Sequence, residues 1–217
     1  MLSARSLEAS RAAGLVVVLV VAGVTVGAMF SSNVRAVRAE SAAMRSPTAQ
    51  QENVTLSRAD MVKRGEYLVT ILGCNDCHTP WIMGPGGPAP DMSRMLSGHP
   101  SDVKLTPPQK LPDGWMWAGS ATNTAFFGPW GVTYAINLTP EPISGMGGVW
   151  TEEMFIRALR LGKHFGESRP ILPPMPWPAF GKMSDDDLKA VWAYLQSIPP
   201  IKNEVPAHEP PPKTSTK

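Results

Sequence analysis

The chain has 217 residues, 20 basic and 18 acidic, and 43% of its residues are apolar. That is one domain's worth of sequence. The near balance of charge excludes the basic face that nucleic-acid binding needs. With residues 1–39 go Arg5, Arg11, Arg35, Arg38 and Glu8, which takes the formal charge from +2 to −1.

The N-terminus reads as an export signal. Arg5 and Arg11 form a basic start, and residues 14–30 (GLVVVLVVAGVTVGAMF) are apolar without a charge. Small residues follow, with cleavage candidates after Ala36 or Ala39. The apolar run is slightly long for a signal core and slightly short for a relaxed transmembrane helix of about 20 residues. Residues 1–39 are therefore expected to be either a signal peptide or a retained membrane anchor through residues 14–30. Both place the remainder in the periplasm or on the outer face of the cytoplasmic membrane. Residues 40–56 are polar, lack a sustained period and read as a linker.

Ser57 is expected to cap a helix whose apolar positions run through Met61, Leu68 and Ile71 and which ends at Gly73. Residues 81–142 are rich in Gly, Pro and Trp. Loops and turns are expected there, with at most short helices or a small hairpin. Thr151 caps a second helix, Glu152 to Gly162. Its acids stand first and its bases last, an order that suits the helix dipole. Ser184 caps a third, with Asp187 three residues on and Leu188, Val191, Trp192 and Leu195 as its apolar face; Pro199 and Pro200 stop it. Residues 207–217 are expected to be a disordered tail.

Both cysteines lie in one string, Cys74-Asn75-Asp76-Cys77-His78. This C-x-x-C-H spacing attaches a c-type haem. The two thiols can each form a thioether with a porphyrin vinyl group, and the adjacent histidine can supply an axial nitrogen to iron. Three other readings compete. A thioredoxin-type redox pair does not require the following His and belongs near a βαβ pattern. A structural zinc site needs four ligands, and His99, His164 and His208 lack finger or ribbon spacing. A disulfide would close a strained two-residue loop and leave His78 unexplained. Export and haem attachment agree with one another. The other ring nitrogen of His78 needs a backbone acceptor, expected in residues 85–90.

The chain resembles a class I cytochrome c domain over about residues 57–206, in the style of bacterial exported monohaem domains. The strings that carry the likeness are GCNDCHTP, FGPWGVTYAINLTP, GKHFGESRPILPPMPW and SDDDLKAVWAYL. The resemblance implies an all-α class I cytochrome c fold with long Gly/Pro/Trp-rich loops around one covalently bound haem c. It also implies a six-coordinate iron that carries electrons, and first and last helices that cross with a Gly facing an aromatic. Cys74 and Cys77 would carry the haem. His78 and Met175 would be the axial ligands.

Met175 rests on a further argument. It lies in Pro173-Pro174-Met175-Pro176-Trp177-Pro178, where proline limits φ. It precedes the last helix much as the distal Met of similar cytochromes does. Met183, Met146 and His164 stay open as alternatives. Residues 137–140 are candidates for the haem carboxylate edge. The expected function is one-electron transfer to a redox protein partner: a dehydrogenase, a respiratory complex or a terminal oxidase. A haem enzyme or gas sensor with an open iron site is the alternative, and a non-haem domain with a disulfide is the third.

Overall fold

The computed structural model describes residues 56–108 and 110–211. The described residues belong to one compact unit, which begins at Thr55. The expected signal or anchor segment 1–39 and nearly all of the linker 40–56 lie outside the described residues. No described helix is long and apolar enough to cross a membrane.

Helix α1 (Arg58–Ile71) starts where Ser57 accepts a hydrogen bond from the Asp60 amide at 3.2 Å. Such a cap contributes about 1 kcal/mol. Helix α2 (Cys74–His78) is a single turn. Helix α3 (Glu152–Leu161) is capped by Thr151 and closed by Gly162, which adopts the left-handed conformation (φ 64°). Helix α4 (Trp177–Phe180) is short. Helix α5 (Asp185–Leu195) has Ser184 as its cap and three aspartates in its first turn, where they oppose the positive end of the helix dipole.

Helices α1 and α5 make the main contact. Leu68 and Val69 meet Leu188, Ala190, Val191 and Leu195 in the core. The approach is close because residue 65 has no side chain. A Cβ there would run into the Ala190 carbonyl and come within 2.7 Å of Tyr194 Cβ. A mid-helix glycine costs roughly 0.5–1 kcal/mol relative to alanine, and here it permits the crossing. Arg64 Nε donates to Asp187 Oδ1 at 2.6 Å across the same pair of helices.

The expectation of an all-α fold is overturned. Among the described residues, five strands form two antiparallel sheets. Strands β1 (Trp81–Gly84) and β2 (Gly87–Pro90) pair as a hairpin, with Trp81 opposite Pro90 and Gly84 opposite Gly87. Strands β3 (Ala118–Gly119), β4 (Ala125–Gly128) and β5 (Gly131–Tyr134) form the second sheet in that order. The physical cause is local. The β4 and β5 sequences AFFG and GVTY combine aromatic and β-branched residues, and Pro129 and Trp130 form a two-residue turn between them.

Residues expected to belong to a disordered tail run beside β5. Val132 and Glu209 bond to each other in both directions, at 2.8 and 3.0 Å. The Tyr134 hydroxyl donates to Glu209 at 2.5 Å. A second small core of Ala125, Val132 and Tyr134 lies against Leu105, Phe127 and Val205.

The α1–α5 crossing predicts a graded response to added volume. Gly65→Ala should destabilise the domain by about 2 kcal/mol or more, the range for overpacking a filled interface. Gly86→Ala should be close to neutral, since nothing lies within 4 Å of a Cβ built there. Denaturant unfolding of the two variants checks this, and equal midpoints would refute the crossing.

Candidate functional site

Gly73, in the left-handed conformation (φ 67°), separates α1 from α2. The turn that follows spaces Cys74, Cys77 and His78 at i, i+3 and i+4, so they share one helical face. The turn is held from outside. Trp81 Nε1 and Asn123 Nδ2 both donate to the Asp76 carbonyl, at 3.0 and 2.7 Å. Thr79 Oγ1 donates to Asn75 and accepts from the Leu96 amide. The hairpin and the three-stranded sheet thus fix the Cys-His turn.

His78 is buried, and its Nδ1 donates to the Ile136 carbonyl at 2.8 Å. The acceptor is not in residues 85–90, as expected from the sequence, but in the segment leaving β5. The Gly98 amide also donates to His78 O, and the His99 amide to Ala135 O, so three backbone segments meet at this point. With Nδ1 protonated, Nε2 keeps its lone pair. Burial, only partly opposed by the Ile136 bond, holds the His78 pKa below its ordinary value. The ring is therefore neutral, the form that ligates a metal.

Both cysteines are free thiols. Burial pushes the Cys74 thiol up to about 12, and it raises that of Cys77 with help from Asp76. A redox-active Cys-x-x-Cys pair needs the opposite shift. Among the described residues no group of three His, Cys, Asp or Glu side chains could hold a metal ion, which disfavours the zinc reading. His99 is also accounted for. It is fully buried, its Nδ1 meets Thr124 Oγ1 at 2.8 Å and its Nε2 meets the Val103 carbonyl at 3.1 Å. Both ring nitrogens are occupied, so its role is structural.

Cys74, Cys77, His78 and Met175 line one cavity of about 370 Å³, within the usual range for a small-molecule or cofactor site. Its walls are mostly apolar and include Phe126, Leu138, Phe155, Leu159, Leu188 and Val191. Two thiols on one helical turn, an imidazole with a free Nε2 and a thioether are a donor set that suits a covalent haem. The residues present fit that group. Met146, Met183 and His164 line the same cavity. Of these, Met146 is almost wholly enclosed, at 1% exposure. His164 stands edge-on to Trp150, with ring centroids 5.1 Å apart.

Asn137, a candidate for the haem carboxylate edge, lines a second cavity of the fold and is hydrogen-bonded within the protein. Its Oδ1 accepts from the Thr139 amide and hydroxyl, and its Nδ2 donates to the Ile201 carbonyl, so it ties the segment after β5 to the chain beyond α5. Two site residues carry no signal in the sequence. Ile136 acts through its carbonyl, which every residue type offers alike. Arg169 lines the cavity from a loop whose position only the fold reveals.

The arrangement agrees with the chain's similarity to known proteins. No protein-family model matches the chain. It is 30% identical over 149 residues to the cytochrome c subunit of alcohol dehydrogenase (quinone) from Gluconobacter oxydans, covering 67% of this chain and 24% of the relative. It is 29% identical over 153 residues to the fructose dehydrogenase cytochrome subunit of Gluconobacter japonicus, 70% of this chain and 23% of that protein. It is also 27% identical over 143 residues to the gluconate 2-dehydrogenase cytochrome c subunit of Pantoea cypripedii, 65% of this chain and 24% of that protein. The alignments span about a quarter of each relative's length. The similarity supports a cytochrome c family.

If His78 and the cysteines act together, His78→Ala should abolish stable holoprotein when the chain is matured with haem. Pigment yield per milligram measures this. Normal yield of a native-spectrum variant would show that the ring has no part in the site.

Proposed function

We propose that this chain is an electron carrier, a monohaem cytochrome c domain that serves a dehydrogenase complex as its electron-transfer subunit and is not itself the catalyst. One observation carries the reading. The Cys74–His78 turn and Met175 in its proline-rich loop face the same apolar cavity. The chain has two cysteines and hence one attachment motif, so it would hold one haem c.

Cys74 and Cys77 would hold the haem through thioethers. His78 Nε2 and the Met175 sulfur would be the protein ligands that hold its iron. Bound there, the haem supplies one-electron chemistry at iron, at a potential that Met/His ligation raises. The Ile136 carbonyl orients the His78 ring and makes it a better donor. Pro173, Pro174 and Pro176 limit the freedom of the Met175 loop, so that little entropy is lost when the thioether is held. Apolar walls exclude water and disfavour additional charge in the cavity.

With His78 and Met175 both holding the iron, no position would stay open for a substrate or gas, which supports the carrier role. The proposed partner is the catalytic subunit of a dehydrogenase, in line with relatives whose names assign them to alcohol, fructose and gluconate dehydrogenases. The basic start and the apolar residues 14–30 support export, to the periplasm or to the outer face of the cytoplasmic membrane.

The test is made on the full chain expressed with haem-maturation machinery. Acid-acetone extraction should leave the colour on the polypeptide. Ferric protein should show the weak near-infrared thioether-to-iron band. Met175→Ala should remove that band, lower the potential and admit carbon monoxide. Met183→Leu and Met146→Leu preserve volume and should do none of these. Rapid carbon monoxide binding by the unaltered protein would favour the enzyme or sensor reading instead. Loss of the band in Met183→Leu alone would move the axial ligand to residue 183.

A further inference from the structure

We propose that Arg169 binds the carboxylate edge of the haem, on the wall shared by two adjoining cavities, and thereby sets the potential of the site. The inference rests on the haem reading above and names a residue on the wall that this cavity shares with a second one, a wall to which the cysteines do not belong.

The charged residues of the cavity differ in their surroundings: Asp76 lines the first cavity alone, whereas Arg169 lines both. Asp76 lies on α2 with Cys74 and Cys77, where the vinyl edge of a tethered porphyrin must be. The propionates leave the opposite edge of the macrocycle. Arg169 lies in a wall shared with a second cavity of about 420 Å³, together with Thr133, Tyr134, Trp150 and His164. Among the described residues, Arg169 is the one Lys or Arg that lines either cavity.

Two carboxylates drawn into an apolar site are costly unless paired. The groups on the shared wall differ in what they can offer. The Tyr134 hydroxyl already donates to Glu209. Burial, and then the charge of Arg169, lowers the His164 pKa, so its ring is a neutral donor at most. Arg169 is uncommitted. Its one side-chain hydrogen bond runs to the adjacent Pro170 carbonyl at 3.4 Å. Among the described residues no carboxylate lies within 4.0 Å of it, while the neighbouring Glu167 pairs with Arg157. Burial holds its guanidinium below the ordinary arginine range. A planar fork of N–H donors suits a carboxylate in two-point contact.

The backbone fixes where this fork stands. The Arg169 carbonyl accepts from the His164 amide at 2.9 Å, and the Ile171 amide donates to Gly162 O at 2.8 Å. The loop is thus tied at residues 169 and 171 to the chain that leaves α3, and it continues to Met175. A cation at that edge offsets the propionate charge, which otherwise stabilises ferric iron.

The experiment compares holoprotein of the full chain as wild type, Arg169→Gln, Arg169→Lys and Arg157→Gln. One readout is the ferric-to-ferrous ratio in a redox titration. The other is the set of propionate bending bands in the resonance Raman spectrum. Arg169→Gln should raise the ferric-to-ferrous ratio at a fixed poise by roughly three- to tenfold, tenfold being about 59 mV for one electron, and should shift the propionate bands. Arg169→Lys keeps the charge but not the fork, so it should retain most of the potential and still shift the bands. Arg157→Gln should change neither.

Wild-type potential and wild-type bands in Arg169→Gln would overturn the proposal while leaving the haem reading intact. If Arg169→Gln yields no holoprotein, Arg169→Lys decides, and unshifted bands there overturn it. Wild-type protein without covalent haem in a pyridine haemochrome assay would overturn both readings.

Discussion

The bond from His78 Nδ1 to the Ile136 carbonyl spans 58 positions of sequence, and the site depends on it. One partner is on the Cys-His turn; the other is on the segment that leaves the three-stranded sheet. The bond sets which ring nitrogen carries the proton, and so which nitrogen faces the cavity. It also requires the sheet to be in place before the ring can be oriented. Around it, the Gly98 and His99 amides join the same two segments to the chain between them. A histidine on a five-residue helix would otherwise be free to turn. Here its direction is a product of tertiary structure.

That dependence explains the sheets. A helical scaffold alone could bring α1 and α5 together through the gap at Gly65. It could not hold the short α2 turn, which has no side-chain cap hydrogen bond at its start. The hairpin supplies Trp81 and the loop before β4 supplies Asn123, both on the Asp76 carbonyl. The edge of β5 is covered in turn by the residues around Glu209. Small sheets are marginal on their own. These are sustained by the turn they clamp, by the second small core and by the chain that closes their edge.

The legible part of the molecule was the part with local signals. Ser57, Thr151 and Ser184 announce their helices, and each accepts the amide hydrogen bond expected of a cap. The CNDCH string is read from spacing alone. The segment from 81 to 142 was only partly legible, because short strands between Gly-Pro turns have little periodicity to display. Nothing local distinguishes the phenylalanines of β4 from loop aromatics until β5 is paired with them. The residues near Glu209 looked like a tail because their composition is polar and proline-rich; their order comes from contact with β5. The Ile136 acceptor lay beyond sequence reasoning for a stricter reason, since any residue offers the same carbonyl.

The core and the cavity share one set of side chains. Met146, Phe155, Leu159, Leu188, Val191 and Leu195 belong to the main hydrophobic cluster and also line the cavity. Walls made of core residues cannot move independently of α1, α3 and α5, because interiors are packed to near-crystalline density. The Met175 loop joins this body at both ends: Ile171 bonds to Gly162 at the end of α3, and Pro176 accepts from Ala179 and Phe180 in α4. The Trp177 ring covers Gly162 so closely that a Cβ there would overlap it. A single rigid frame therefore carries both His78 and Met175 to the cavity. The proposed electron-transfer role would need that rigidity, and the packing supplies it through ordinary hydrophobic contacts.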